Sequence, residues 1–192
     1  MPQAFRIAGE NGTRGLTFSR FPAILNPVNM EETRMDADTK ITVLKRIAAR
    51  FNAAGITWAL GASMLLYFKR IAPEFHDIDL MVADDDAERA RQLLCEMGTL
   101  LPPSPNDKYR TKCFMEFVID GADVDVMAGF SIVSDGIAHD CSLQKEQIVE
   151  TLTLDGEVIP LQSVELWRRY YALMGRSTKV DMIDRHLAEA RP

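Results

Sequence analysis

The chain has 192 residues, of which 28 are acidic and 22 are basic, and its formal net charge is −6 at pH 7. This length suits one domain, or one domain with a small appendage. The acidic balance argues against a general nucleic-acid binder, which would carry a basic surface, but it does not exclude a local basic patch that faces an anionic substrate.

The cysteines and the apolar runs indicate the compartment. Cys95, Cys113 and Cys141 are odd in number and widely spaced, and the three histidines are scattered, so neither set predicts disulfides or a zinc site. No stretch comes near the roughly 18–20 consecutive apolar residues that a membrane span needs, and the N-terminus lacks the apolar core of a signal peptide. We therefore expect a soluble, cytoplasmic protein with reduced thiols and no membrane partner.

The first half of the chain predicts an arm, a helix and two strands. Residues 1–36 lack sustained periodicity, so we expect an irregular N-terminal arm. From Asp38, apolar residues recur at steps of three and four, which predicts a helix that Gly55 ends. Residues 56–60 predict a buried strand that leads through a turn into a short helix, and residues 77–82 predict the second strand.

The second half of the chain predicts one more helix, two hairpins and a helical tail. A helix that ends at Gly98 follows the second strand, and residues 112–120 and 123–130 predict the two strands of a hairpin. Residues 150–161 predict another hairpin, with an Asp-Gly turn at its centre. The tail carries two helical apolar stripes that Gly175 separates.

The order of these elements predicts an α+β fold, in which helices pack on a mixed sheet and a small helical part follows at the C-terminus. We place the boundaries so that residues 1–36 form the N-terminal arm and residues 37–162 form the main domain. Residues 163–192 then form the C-terminal helical appendage.

An acidic pair opens the second strand, where an apolar start would pack more simply. Asp77 and Asp79 stand two residues apart, so in a strand they project from the same face. Carboxylates this close repel each other unless a cation lies between them, and a hard divalent cation such as Mg²⁺ takes carboxylate ligands. The alternative for an isolated pair is a solvent-exposed strand start. His76 would point to the opposite face and is interpreted as structural.

The turn Gly61-Ala62-Ser63 lies between a predicted strand and a predicted helix. Glycine lets a backbone approach a ligand closely, and the first amides of a helix are free to bind phosphate. Glycine at such a turn also serves the geometry of the chain alone, and this alternative stays open. If the strands next to Gly61 and Asp77 are neighbours, the turn and the acidic pair meet at one edge of the sheet.

A second acidic pattern occurs in the strand at residues 123–130. Asp123 and Asp125 share a strand face, and a third carboxylate from this strand would complete a two-metal site for phosphoryl or nucleotidyl transfer. Asp123 stands two residues after Gly121 and suits a turn, whereas Asp125 lies deeper in the apolar run and is the better candidate. The alternative for Asp125 is a charge on an edge strand.

A glycine-led turn, an acidic pair and a later single aspartate resemble the motifs of the nucleotidyltransferase superfamily of DNA polymerase β-like proteins. The segments that carry this resemblance are LGAS (60–63), HDIDLMV (76–82) and VDVM (124–127). The subgroup that looks similar is that of small bacterial nucleotidyltransferases related to AbiEii-type toxins and to lincosamide- and aminoglycoside-modifying enzymes. The tail is similar to the end of that subgroup, with these residues in the corresponding places: Arg176, Lys179, Asp181 and Asp184.

The resemblance covers roughly residues 40–188, and two positions depart from it. Ala62 stands where many members carry a second glycine or a serine. Residues 73–76 stand where many relatives of the subgroup have an R-x-S/T segment just before the acidic pair.

The resemblance implies an enzyme that moves a nucleoside monophosphate from an NTP to a hydroxyl acceptor and releases pyrophosphate. The acceptor would be a small molecule, RNA or a protein, so nucleic acid enters only as an acceptor. The family binds Mg²⁺, or Mn²⁺, between carboxylates and the triphosphate, and the matching carboxylates here are Asp77, Asp79 and Asp125, with Asp125 also as general base. The residues that the resemblance places at the nucleotide are Gly61, Ala62, Ser63 and Lys179.

Alternatives remain for several residues and for the function. Lys179 on a helical face is otherwise a solvated charge, and Trp167, Tyr170 and Tyr171 are predicted core residues, with stacking on a nucleobase as the alternative. The alternative function is a catalytically silent nucleotide- or partner-binding module of the same fold, such as a toxin–antitoxin component with an antitoxin partner. In a generic α/β protein, the three aspartates would be surface charges that lie apart.

Overall fold

A seven-stranded mixed sheet with helices packed on it forms the core of the protein. The computed structural model describes residues 27–103 and 108–189, and of residues 27–36 it describes the backbone alone. The helices are α1 (Pro27–Ala54), α2 (Ala62–Phe68), α3 (Ala87–Cys95), α4 (Val164–Leu173) and α5 (Ser177–Glu189). The strands are β1 (Trp58–Leu60), β2 (Ile78–Val82), β3 (Thr99–Leu100), β4 (Cys113–Ile119), β5 (Ala122–Ala128), β6 (Ser131–Ser134), β7 (Ile137–Asp140), β8 (Ile148–Leu154) and β9 (Glu157–Gln162).

The strand order in the large sheet is β3-β4-β5-β2-β1-β9-β8. β2 pairs in parallel with β5, β1 pairs in parallel with β9, and the other neighbouring strands are antiparallel. β6 and β7 form a separate two-stranded sheet. The prediction of an α+β fold with a mixed sheet is thereby confirmed.

The centre of the sheet is buried on both faces. In β2, every residue except Asp79 is fully buried, and in β5 the side chains of Val124 and Val126 are buried as well. β2 lies between β1 and β5, so helices and neighbouring strands exclude water from its apolar residues. Because this apolar run is held so firmly, the acidic residues at its start have a fixed position.

Helix α1 begins at Pro27, well before the predicted start at Asp38. Residues 27–36 are therefore helical in the structure, and residues 1–26 of the predicted arm lie outside the described residues. Periodicity detects only the part of a helix that has a buried face, which here comprises Val43, Leu44, Ile47, Ala48 and Phe51. Proline is also favoured in the first turn of a helix, where its missing N–H is not needed.

The hairpin of β6 and β7 was not predicted from the sequence. Its turn is Asp135-Gly136, and both residues have positive φ, at 50° and 76°. Asp-Gly with two positive φ values is typical of a two-residue hairpin turn. The signal was therefore present, but the exposed residues of β7 lack the alternation that marks a half-buried strand.

The two C-terminal helices are tied to each other and to the sheet. Ser163 caps α4, because its hydroxyl accepts a hydrogen bond from the N–H of Leu166 at 3.0 Å. Arg168 of α4 and Asp184 of α5 form an ion pair in which Nη2 lies 2.7 Å from Oδ2. Within residues 27–103 and 108–189, no helix is both long and apolar enough to cross a membrane.

Gly61, which follows β1, lies against the indole of Trp167 in α4. A β-carbon on Gly61 would lie 2.3 Å from the indole ring. Trp167 cannot easily retreat, because it is 2% exposed and its Nε1–H donates to Oε1 of Gln162 at 2.9 Å. The glycine is therefore required by the close approach of α4 to the end of β1.

We expect Gly61→Ala to lower the free energy of unfolding by about 1–3 kcal/mol, because the added methyl group overpacks a buried aromatic contact. Chemical denaturation measures this change. The matched variant is Ala62→Gly, since Ala62 has φ of +46° and glycine relieves the strain of that conformation. It should leave stability unchanged or raise it, and an equal loss in both variants would contradict this account.

Candidate active site

Three aspartate side chains meet where β2 begins. Asp77 directly precedes β2, Asp79 lies within it, and Asp125 lies in β5. The parallel register places Asp79 opposite Asp125, and Asp77 stands two residues before Asp79. One carboxylate oxygen from each residue lies within 4.8 Å of the others. The three carboxylates therefore do not lie apart, as they would in a generic protein with scattered surface charges.

This crowding raises the pKa of two of the carboxyl groups. Burial raises the pKa of Asp79 well above its usual value, and the charges of Asp77 and Asp125 raise it further, while Arg176 opposes the shift. Burial also raises the pKa of Asp125 to about 7, with Asp77 as the strongest charged contributor. A divalent cation would remove this repulsion, and three converging carboxylate oxygens suit a hard cation such as Mg²⁺ or Mn²⁺.

The three aspartates open into a cavity of about 580 Å³. Its volume is in the range of small-molecule and cofactor sites. The cations Arg176 and Lys179 and several aromatic residues line it. The lining residues are Ala62, Ser63, His76, Asp77, Asp79, Tyr109, Thr111, Phe114, Glu116, Asp125, Met127, Phe130, Trp167, Tyr171, Met174, Arg176 and Lys179.

The glycine turn brings two of its three residues to the cavity. Ala62 and Ser63 line it, and the Ser63 hydroxyl donates to Oδ1 of Asp77 at 3.4 Å. Gly61 lies behind them, where its N–H donates to the main-chain oxygen of Asp79 at 3.1 Å. Gly61 thus joins the turn to β2 and makes room for Trp167, while its neighbours face the cavity.

The turn between α4 and α5 supplies the positive charge. Gly175 has φ of +71°, which lets the chain reverse between the two helices. Arg176 follows, with its guanidinium carbon 5.9 Å from the centre of the Tyr171 ring. Lys179 lies half-buried in the first turn of α5. Of the other tail residues that resemble the family pattern, Asp184 pairs with Arg168 between the helices.

Sequence reasoning missed several residues that line the cavity. Glu116 of β4 lies directly opposite Asp125 in the antiparallel register, and Phe114 precedes it by two residues on the same face. The two-residue spacing of Phe114 and Glu116 in a predicted strand could have indicated that their side chains share a face. His76, which was predicted to point away, also lines the cavity. It lies outside β2, so the alternation of strand side chains does not extend to it.

The structure places the other residues that the sequence suggested in different surroundings. Asp123 is exposed and is not part of the three-carboxylate cluster, so Asp125 is the aspartate of β5 that converges with the acidic pair. Trp167, Tyr170 and Tyr171 are all buried, as predicted for core residues, yet Trp167 and Tyr171 also line the cavity. Phe130 stacks on Trp167 with ring centroids 6.5 Å apart. Core and cavity wall therefore share the same aromatic residues.

The raised pKa of Asp125 predicts how the stability of the metal-free protein depends on pH. Its pKa is about 7 in the folded protein against an ordinary value of 3.8, so ionisation favours the unfolded state. This destabilisation is absent below about pH 4 and is complete above about pH 7. We expect Asp125→Asn to raise the free energy of unfolding by roughly 1–2 kcal/mol at pH 8, after allowance for solvent screening, and by much less at pH 4.5.

The control for this measurement is Asp123→Asn, which removes the same charge from an exposed site two residues away. It should show no comparable dependence on pH. Chemical denaturation at both pH values, without added divalent cation, makes the comparison. Equal stabilisation of the Asp125→Asn variant at pH 8 and pH 4.5 would show that ionisation of this carboxyl group does not oppose folding.

Comparisons with known proteins agree with this architecture. No family model and no curated protein matches the sequence. A candidate nucleotidyltransferase from Thermotoga maritima is 24% identical in an alignment that covers 78% of this chain and 92% of that chain, with a TM-score of 0.60. The antibiotic-resistance factor ANT(2'')-Ia is 13% identical over 78% of this chain and 85% of that chain, with a TM-score of 0.54. The chain therefore shares the fold of these two proteins.

Proposed function

We propose that the protein is a metal-dependent nucleotidyltransferase that moves a nucleoside monophosphate from an NTP to a hydroxyl acceptor and releases pyrophosphate. The observation that carries this proposal is the convergence of Asp77, Asp79 and Asp125 within 4.8 Å, at a cavity that also contains Arg176 and Lys179. Carboxylates for a metal and cations for phosphate are the two charge types that this reaction needs. The nucleotidyltransferase fold supports the same conclusion.

Asp77, Asp79 and Asp125 would hold the divalent cation, either Mg²⁺ or Mn²⁺. When bound, such a cation neutralises the carboxylates and withdraws charge from phosphate oxygens. The protein's own contribution is rigidity, because Asp79 and Asp125 stand on paired strands whose apolar residues are buried. The site is therefore organised before the nucleotide arrives, at the cost of the carboxylate repulsion described above.

The triphosphate would lie between the start of α2 and the start of α5. Ala62 and Ser63 at the start of α2 line the cavity, and Lys179 in the first turn of α5 lines it as well. Lys179 would act as a point charge on phosphate, and Arg176 adds a planar guanidinium that suits phosphate oxygens. Gly61 supports this arrangement from behind, by fixing the turn to β2.

The transfer step needs a proton acceptor beside the incoming hydroxyl. The acceptor oxygen forms a bond to the α-phosphorus, the bond from that phosphorus to the bridging oxygen breaks, and pyrophosphate leaves. A carboxylate oxygen of Asp125 takes the proton of the hydroxyl. Asp125 suits this role because its side chain faces the open cavity next to the acidic pair. The buried residues Trp167 and Tyr171 form an aromatic part of the wall of the same cavity.

Small hydroxylated molecules are the first acceptors to test, because an antibiotic-resistance factor shares the fold. RNA and protein hydroxyls form the second set. A catalytically silent module would bind an NTP at the same site, but it would not release pyrophosphate with any acceptor. The antitoxin partner of that alternative stays a prediction from the sequence.

We expect one of the four NTPs to raise the melting temperature of the protein only when Mg²⁺ or Mn²⁺ is present, because ligand binding stabilises the folded state by mass action. Asp79→Asn should abolish this metal-dependent shift and reduce pyrophosphate release by at least ~100-fold, since it removes a metal ligand at the reacting centre. Thermal-shift screening and a pyrophosphate assay measure the two effects.

Asp123→Asn serves as the matched control, because it removes an exposed aspartate outside the three-carboxylate cluster. It should keep both the thermal shift and the release of pyrophosphate. If Asp79→Asn and the unmodified protein respond alike to metal and nucleotide, the proposed function is wrong.

A further inference from the structure

Lys40 of α1 is a buried charged residue that the proposed mechanism does not use. The residue is 7% exposed, and it stands outside the lining of the cavity. A buried ammonium group is costly unless hydrogen bonds compensate for its lost hydration. Lys40 donates a hydrogen bond from Nζ to the main-chain oxygen of His76. The contact joins α1 to a segment that lies 36 residues further along the chain.

The oxygen that Lys40 contacts belongs to the peptide group between His76 and Asp77. Because a peptide group is planar, holding its oxygen also limits where the Cα atom of Asp77 can lie. Asp77 is placed just before Ile78, the first residue of β2 that pairs with β5. The Lys40 contact therefore begins to restrain the chain at the point where the strand pairing ends.

The segment before Asp77 is held at two further points. The N–H of Ala72 donates to the main-chain oxygen of Leu66 at 3.2 Å. Phe75 is 8% exposed, and the centroid of its ring lies 4.8 Å from that of the Tyr67 ring. Both contacts lie before His76 in the chain. They restrain the segment that leads to His76, but they do not reach the peptide group between His76 and Asp77.

The carboxylate of Asp77 also has a contact with Ser63 of α2. The Ser63 hydroxyl lies 3.4 Å from Oδ1 of Asp77, near the outer limit for a hydrogen bond. The bond from the Lys40 ammonium group to the main-chain oxygen of His76 is charge-assisted. Lys40 of α1 therefore adds a charge-assisted hydrogen bond to the peptide group that precedes Asp77.

We propose that Lys40 is a positioning residue, which holds the His76–Asp77 peptide so that the Asp77 carboxylate stays beside those of Asp79 and Asp125. This inference rests on the proposed function, because it takes Asp77 as a metal ligand. It concerns the same segment, residues 73–76, in which the sequence departs from the pattern of its apparent relatives. A basic side chain reaches that segment here from a different part of the fold.

The test compares three variants of the full chain, beginning from the metal-free protein. Lys40→Met removes the ammonium group and keeps a long apolar stem, Lys40→Arg keeps the charge, and Lys45→Met is the control on the same helix. Lys45 pairs with Asp155 at 2.6 Å, away from the acidic cluster. Calorimetric titration with Mn²⁺ gives the metal affinity, and hydrogen exchange over residues 72–80 reports the mobility of the segment.

We expect Lys40→Met to weaken Mn²⁺ binding by about 10–100-fold, the usual effect of removing a group that orients a metal ligand. Hydrogen exchange should increase around His76 and Asp77 and remain unchanged in α4 and α5. Lys40→Arg should restore most of the affinity. Lys45→Met should bind Mn²⁺ as the unmodified protein does. A merely structural role for Lys40 would lower stability without this selective change.

Unchanged Mn²⁺ affinity and unchanged exchange in folded Lys40→Met would overturn this inference and leave the proposed function intact. If Lys40→Met does not fold, Lys40→Gln replaces it, and retention of full Mn²⁺ affinity by that neutral variant would overturn the inference equally. The proposed function itself would be contradicted by another result, in which neither the unmodified protein nor the Asp79→Asn variant binds Mn²⁺.

Discussion

The parallel pairing of β2 with β5 places Asp79 opposite Asp125, and the candidate site depends on that register. A shift by one residue would turn the aspartates to the other face of the sheet. The register is fixed by apolar residues, because Ile78 and Leu80 lie opposite Val124 and Val126 and all four are fully buried. The hydrophobic core therefore keeps together carboxylates that repel each other, and a cation can bind to them without a rearrangement of the sheet.

Features that oppose stability are concentrated around this site. The carboxyl groups of Asp79 and Asp125 are buried and lie beside other acidic groups. Ala62 has a positive φ, a backbone conformation that favours glycine. Strain and like charges of this kind persist where the surrounding structure holds them, and they are typical of functional sites. Here the buried strands on one side and the Gly61–Trp167 contact on the other provide that support.

Much of the site could be predicted from the sequence, because its residues follow short-range rules. The spacing of Asp77 and Asp79 places them on one face, and the depth of Asp125 in an apolar run distinguishes it from Asp123. Both inferences agree with the cluster in the structure. The pairing of β2 with β5 could not be predicted, since a helix and two strands separate them along the chain, and tertiary packing decides which strands become neighbours.

Other features needed the three-dimensional structure for related reasons. Gly61 suggested a close approach to phosphate, whereas the structure shows a close approach to Trp167, and glycine alone does not distinguish the two. The contact of Lys40 with His76 connects distant segments, so no local pattern marks it. The hairpin of β6 and β7 had a readable turn at Asp135-Gly136, but its exposed strand did not alternate.

The release of protons on Mn²⁺ binding tests the central claim most directly. If the crowded carboxyl groups of Asp79 and Asp125 hold protons in the absence of a cation, Mn²⁺ must displace them. Calorimetric titration at pH 6, in buffers that differ in ionisation enthalpy, should show that protons are released when the ion binds, and the number released should decrease toward pH 9. The account would be contradicted if Mn²⁺ did not bind. It would also be contradicted if Mn²⁺ bound without releasing protons and the Asp79→Asn variant bound it equally well.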